Sequence, residues 1–356
     1  MMNTIKIIKQ IDQIIGPILL KLFPKPAISK SKDTPIKKIL VIRPGGMGDA
    51  LLLLPILKEI AFSFHVKIDI LCEPRNIIVF NSVTFLNQVF SYKKFLSMLS
   101  VFQTKYDLVF DTEQSHFLSA IITRIVSADI KAGFKTNGRE KMYDKAISYS
   151  QNIYEAKIFW ELFSMVFDLK KPFHFKFPYF IPQVHNQPKS FKKEKIICLF
   201  PGATIDERLW PEKKWAKVMD WIANKNIKPI LIGGSKEYNQ CKKIMELCKT
   251  DAGINLCSAL SIIETAALFN KSELLISTDS GILHMGVLSN VPTISLFGAG
   301  IAAKWAPEGR KHLVINKNLK CSPCTRFGST PPCLNNLSCM TQISVDDIII
   351  GLTGKL

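Results

Sequence analysis

The segment STDSGILHMGVLSNVPTISLFG, residues 277–298, constrains this chain most: a polar Asp279-Ser280-Gly281 turn joins an apolar run to a helical stretch, and a second β-branched run follows. Leu274 to Ser277 reads as a buried strand, the helix opens at about Ser280, and Pro292 to Leu296 reads as the next parallel strand. A helix that begins in a Ser-Gly turn aims unpaired backbone N–H groups and a positive dipole end at one spot, which suits a phosphate or diphosphate. The same residues also suit a plain helix cap, so the turn by itself leaves both readings open.

The alternation extends along the chain. KILVIR (38–43), VKIDILC (66–72) and DLVFD (107–111) read as strands, with helices over 49–64 and near 117–127. Residues 172–190 carry four prolines and no helical period, which suits a linker. Beyond it come strands at 195–200 and 227–234, a helix at 210–223, and a Ser261/Glu264 capping box before a helix at 262–270. Such repetition predicts α/β architecture with two parallel sheets, each covered by helices. The boundaries expected are a basic amphipathic segment at 1–35, a domain at 36–175, a linker at 176–192, a second domain at 193–340 and a C-terminal helix at 341–356.

A length of 356 residues supports two cores, and 47% hydrophobic residues argue against extensive disorder. The excess of 47 Lys+Arg over 29 Asp+Glu leaves +18, which favours an anionic partner such as nucleic acid, a phosphorylated metabolite or a membrane surface. Only seven of these cations are arginines, which directs attention to Arg43 and Arg208, since guanidinium suits bidentate phosphate contacts. No run of 18 apolar residues predicts a transmembrane helix, and the start has no signal-peptide cleavage pattern. Ile5, Ile8, Ile11, Ile15, Ile18 and Leu22 recur at helical spacing among lysines; such a helix either lies in a membrane interface or packs on the protein's own surface.

ILVIRPGGMGDALLLLPIL (39–57), YDLVFDTEQ (106–114), FPGAT with ERLWPEKKWAKV (200–218), LIGGSKEYN (231–239) and the 277–298 segment occur in an order and spacing that resembles glycosyltransferase family 9, the heptosyltransferase family. The resemblance covers about residues 36–345. It implies a GT-B fold of two Rossmann-like domains facing each other across a crevice. It also implies inverting, metal-independent transfer of a sugar, with ADP-heptose as expected donor and a lipopolysaccharide core or related lipid-linked saccharide as acceptor. No cofactor is required. The implied location is cytoplasmic, with a peripheral contact on the inner membrane.

Inverting transfer needs a base for the acceptor hydroxyl. Asp49 matches the family's base, and an N-cap aspartate is its structural alternative. Arg43, Gly45, Gly46 and Gly48 form the loop at the crevice; Leu51 stands where a dinucleotide fingerprint would have its third glycine. On the donor side, Thr204 and Arg208 match the phosphate-contacting loop. Ser280 and Gly281 are read as backbone donors to the diphosphate, Asp279 as a sugar ligand or organiser of the turn, and Glu237 as a ribose ligand. His284, one helical turn past Ser280, either faces the donor or is packed. After Phe297 the chain departs from the family, with Gly298-Ala299-Gly300-Ile301 in place of a Gly-Pro-Thr-Asp-Pro type segment.

Cys321-x2-Cys324-x8-Cys333-x5-Cys339 can hold a structural zinc or remain free thiols; no metal is assigned, and the other five cysteines are expected as separate thiols. Three alternatives remain: a transferase of the same family with a different nucleotide-sugar donor, a nucleotide-sugar epimerase or hydrolase on the same fold, and a basic nucleic-acid-binding protein. The last lacks a basic stripe interleaved with aromatics, so no nucleic-acid partner is expected.

Overall fold

Among the described residues, twelve strands pair in parallel as two six-stranded sheets, one in each half of the chain. The computed structural model describes residues 2–24, 35–169 and 194–355, with side chains from residue 11 on. It divides the chain into two units, Met1–Phe175 and Lys176–Leu356. The proline-rich linker expected at 176–192 lies outside the described residues.

The first unit opens with helix α1 (Met2–Leu22) and continues β1 (Lys38–Arg43), α2 (Met47–Ser63), β2 (Lys67–Cys72), α3 (Pro74–Asn81), β3 (Gln88–Ser91) and α4 (Phe95–Gln103). It is completed by β4 (Tyr106–Asp111), α5 (Phe117–Ile125), β5 (Ala128–Lys135), β6 (Lys145–Ser148) and α6 (Glu155–Ser164). Its strand order is β3-β2-β1-β4-β5-β6. β1 is central, and five of its six residues are buried because helices cover both sheet faces.

The second unit runs β7 (Ile196–Phe200), α7 (Glu212–Ala223), β8 (Lys228–Leu231), α8 (Tyr238–Leu247), β9 (Ile254–Asn255), α9 (Ile262–Phe269) and β10 (Leu274–Thr278). Then follow α10 (Gly281–Leu288), β11 (Thr293–Phe297), α11 (Ala302–Trp305), β12 (His312–Asn316), α12 (Ser338–Thr341) and α13 (Val345–Thr353). The order β12-β11-β10-β7-β8-β9 repeats the first sheet's connectivity, strand for strand. Both match the doubly wound Rossmann order, in which ligands bind at the carboxyl ends of the strands where the winding reverses. Those points are β1/β4 in the first unit and β7/β10 in the second. The Ser261/Glu264 capping box forms as expected, and Ser344 with Asp347 makes another at α13.

Helix α1 packs one face on the protein's own surface, as one of the two readings of its periodicity expects, and leaves another face exposed. Gly16 and Leu20 are buried in a cluster with Phe117, Ala120 and Ile121 of α5, and Asp12 accepts the Phe117 and Leu118 amides at 2.9 and 2.7 Å. Asp12 thereby caps α5, whose own N-cap His116 makes no side-chain cap bond. Ile11, Ile14, Ile15, Ile18 and Leu22 on the other face are exposed. Among the described residues no helix is long and apolar enough to cross a membrane.

One cysteine expectation is corrected. Cys241 and Cys257, read as separate thiols, are joined in a disulfide, because α8 and the turn after β9 press both side chains into the same apolar cluster.

Candidate functional site

Each reversal point carries an Arg–Asp pair, and the two pairs are exposed in opposite senses. In the first unit Arg43 ends β1, where strand geometry turns its side chain into the protein; it is 1% exposed. One guanidinium nitrogen donates to the Thr112 carbonyl at 2.6 Å, fixing the end of β4, and the other to Asp49 Oδ2. Asp49 is the third residue of α2 and its side chain is 15% exposed. Gly46 is the N-cap, so Asp49 is not held by a capping role, and its carboxylate sits near the positive helix end. Gly45 takes φ +147°, and a side chain there would run into the Arg43 guanidinium. Asn76 secures this loop from α3 by donating to the Gly45 carbonyl at 2.9 Å.

Behind Arg43 lies a buried charge network whose members the motifs leave without a role. Asp111 pairs with Arg139 at 2.7 Å, both fully buried, and accepts the Tyr143 hydroxyl at 2.7 Å. Arg139 also donates to the Glu113 carbonyl at 2.6 Å. Glu155 accepts from Tyr149 at 2.8 Å and from Gln114. Burial alone would lower the Arg43 pKa, yet the carboxylates of Asp49, Glu113 and Glu155 hold it above its ordinary value. Burial likewise pushes Glu113 up, and Arg43, His116 and Arg139 bring it below the usual range. Arg43 is thus kept as a cation under an accessible carboxylate.

In the second unit the buried partner is the acid. Asp279, directly after β10, is 5% exposed at its side chain, whereas that of Arg208, in a short 3-10 turn after the Pro201-Gly202-Ala203-Thr204 loop, is 17% exposed. Arg208 Nη1 lies 3.1 Å from Asp279 Oδ2 and 3.5 Å from the Asp279 carbonyl. The β7 loop is tied to β10 where Thr278 Oγ1 donates to the Gly202 carbonyl. Gly300 closes over Asp279, since a Cβ there would strike its carboxylate; this accounts for glycine in the segment that departs from the family pattern.

Ser280 is the N-cap of α10 but makes no side-chain cap bond; its hydroxyl lies 3.2 Å from that of Ser277, and Gly281 is half-buried in the first turn. Thr204 is exposed on the same loop as Arg208. Glu237 precedes α8, accepts the Gly234 amide at 2.8 Å and lays its stem beside Gly202, so the β7 and β8 loops meet there. His284 is 3% exposed; its Nδ1 has no hydrogen-bond partner, its ring lies 6.3 Å from Trp305, and burial pulls its pKa to about 4. The expected residues therefore assemble as two groups: Arg43, Gly45, Gly46, Gly48 and Asp49 in one unit, and Thr204, Arg208, Glu237, Asp279, Ser280 and Gly281 in the other. His284 is buried within α10, in neither group.

Cys321, Cys324, Cys333 and Cys339 line one cavity of about 220 Å³ together with Glu207. Among the described residues no three His, Cys, Asp or Glu side chains gather closely enough to hold a metal ion.

The family model described as glycosyltransferase family 9 (heptosyltransferase) matches residues 98–334. Lipooligosaccharide heptosyltransferase 2 of Campylobacter jejuni serotype O:6 is 26% identical over 332 residues, covering 88% of this chain and 97% of that protein. Among solved structures, the E. coli heptosyltransferase WaaC with ADP superposes with TM-score 0.70 at 17% identity, covering 90% of this chain and all of that one. E. coli ADP-heptose lipopolysaccharide heptosyltransferase II gives 0.69 at 17% identity, over 89% and 98%. Two Rossmann-like units of the GT-B class, and a family model spanning more than half of the sequence, make this chain an enzyme of glycosyltransferase family 9, the heptosyltransferase family.

Proposed function

We propose that this enzyme transfers a heptose from ADP-heptose, with inversion, onto a lipopolysaccharide-core or related cell-surface saccharide. The observation that carries this reading is the reversed exposure of the two Arg–Asp pairs. One unit offers a carboxylate with its arginine buried beneath it; the other offers a guanidinium with its aspartate buried beneath it. The names of the relatives support the donor and acceptor: WaaC was solved with ADP, and the Campylobacter protein is named a lipooligosaccharide heptosyltransferase.

In this reading residues 36–175 take the acceptor and 193–340 the donor. Asp49 accepts the proton of the acceptor hydroxyl as it attacks the anomeric carbon from the face opposite the nucleotide. Arg208, with the Ser280 and Gly281 amides and Thr204, neutralises charge developing on the leaving diphosphate. Asp279 orients Arg208, and Glu237 takes the ribose hydroxyls. His284, neutral and buried, packs within α10 near Trp305 and does not touch the donor in this reading. Arg208 supplies the cation facing the diphosphate, so the reading invokes no metal and no cofactor. Acceptors of this kind are lipid-linked, which places the enzyme in the cytoplasm against the inner face of the membrane.

Calorimetry with a panel of nucleotides and nucleotide sugars tests the donor half. ADP and ADP-heptose are expected to bind, to weaken by roughly 10- to 100-fold in Arg208→Met, in line with a charge-assisted contact, and to be unaffected in Asp49→Asn. Absence of any nucleotide binding at millimolar concentration would sink the reading.

A further inference from the structure

Helix α1 is apolar on two faces, and only one of them is covered. The inner residues pack on α5, while Ile14, Ile18 and Leu22 are 69%, 58% and 72% exposed on the outer side, with Ile11 and Ile15 about half exposed. A helix with isoleucine or leucine at i, i+3/i+4, i+7 and i+11 turned to solvent is an unfinished interface. A second exposed pair stands nearby in the same unit: Phe95 and Leu96, at 79% and 74%, begin α4 directly after the exposed Lys93 and Lys94.

One cavity relates these elements. It is lined by Asp12 of α1, Pro44 after β1, Tyr92 and Lys93 before α4, and Leu118 and Ile122 of α5. Its lining therefore joins the carboxyl edge of the first sheet, where Asp49 lies, to the ends of α4 and α5 and to α1. The cavity holds only about 80 Å³, well below the roughly 300–1,000 Å³ of a sugar or nucleotide pocket, but enough for a few methylenes. We propose that the outer face of α1 and the Phe95–Leu96 tip form a docking surface for an anionic lipid bilayer, seating the acceptor edge of the first unit at the headgroup–acyl boundary.

Charge selects a bilayer over a second copy of the chain. Residues 1–38 carry eight lysines and two aspartates. One of the aspartates, Asp12, is spent on the α5 amides and His116. Among the described residues Lys21 of α1 and Lys93 and Lys94 before α4 stand exposed next to these apolar side chains in the chain, a combination that suits the boundary of an anionic leaflet. Two identical faces of this kind would oppose lysine to lysine. The proposal rests on the reading that the acceptor is lipid-linked, but it can be tested separately.

Full-length protein is to be floated with vesicles of phosphatidylcholine alone and of phosphatidylcholine with phosphatidylglycerol. Binding is expected on the anionic vesicles, weakening with salt, and falling by about 100-fold in Ile14→Glu/Ile18→Glu and by at least about tenfold in Phe95→Glu/Leu96→Glu. ADP binding and transfer to a delipidated saccharide acceptor should be unchanged in both variants. Wild type and variants floating alike, or no flotation at all, overturns the proposal. So does a dimer in lipid-free buffer that Ile14→Glu/Ile18→Glu dissociates, since the face then belongs to a second copy. Flotation without ADP binding leaves the docking surface standing and defeats the transferase reading; ADP binding without flotation does the reverse.

Discussion

The two reversal points use the same residue pair for opposite ends. In the first unit the cation is interior, shared by Asp49, the Thr112 carbonyl and the field of Glu113 and Glu155, and the carboxylate meets solvent. In the second the carboxylate is interior, roofed by Gly300, and the guanidinium meets solvent. A shared strand order thus dictates where a ligand can bind but not the sign of the charge presented to it. That sign follows from which member of the pair ends the strand and which rides the loop. Arg43 is the last residue of β1 and Asp49 sits in the next helix, while Asp279 follows β10 and Arg208 comes from the neighbouring loop.

The sharpest way to break this comparison is to neutralise the exposed member on each side. Asp49→Asn should lower kcat by about 10²- to 10⁴-fold, the range for loss of a general base, with donor affinity unchanged. Arg208→Met should instead act on donor affinity and transfer together. Steady-state kinetics beside calorimetry separates the two. If Asn at 49 retains most of kcat, the carboxylate is not the base and the contrast loses its chemical meaning.

A somewhat smaller effect is expected on stability, and it should be lopsided. Arg43→Met removes the hub that compensates Glu113 and Glu155, both nearly inaccessible, and costs about 3–5 kcal/mol, as for a broken buried ion network. Asp49→Asn leaves Arg43 with its other partners and should cost under about 1 kcal/mol. Denaturant melts of the two variants decide it. Equal losses would mean that the pair is held by Asp49 alone and that the network behind it is idle.

Much of this was readable from sequence, for reasons specific to the residues. KILVIR, IICLF and LLIST are β-branched runs at the centres of the sheets, buried on both faces, so they carry an unbroken apolar signal. The edge strands β3, β9 and β12 are two to five residues long and mostly half-buried, and QVFS or HLVIN looks like many loops. The loop residues around Asp49, Arg208 and Asp279 lie within contiguous motifs, so local order exposes them. Asp111, Arg139 and Glu155 come together only because β4, the turn after β5 and α6 converge, over sequence separations of 28 for Asp111–Arg139 and 41 for Gln114–Glu155. Asp111 at the end of a buried strand was the one available hint, since such an acid requires a partner. The pairing of Cys241 with Cys257 likewise depends on two elements meeting in the core, which spacing does not encode.

The last contrast concerns acid. His284 and His312 in the second unit are held at about 4 by burial, against an ordinary 6.5. In the unfolded chain both bind protons near pH 6.5, whereas the folded unit binds them only near pH 4. Falling pH therefore favours unfolding: their contribution is complete above about pH 6.5 and is lost as pH drops towards 4, on the order of 3 kcal/mol for His284. In the first unit the depressed carboxylate is Glu113, whose contribution is present above its ordinary 4.5 and is lost only below that, and the lowered Lys131 acts only at alkaline pH. The second unit should therefore weaken first, between pH 6.5 and 4.5. Tryptophan fluorescence reports mainly on it, with Trp210, Trp215, Trp221 and Trp305 against Trp160 in the first. Denaturation midpoints taken by fluorescence should fall across that interval, and His284→Met should remove about half of the slope. A midpoint that stays level to pH 4.5, or a slope indifferent to that substitution, would show that the imidazole is not the group being titrated.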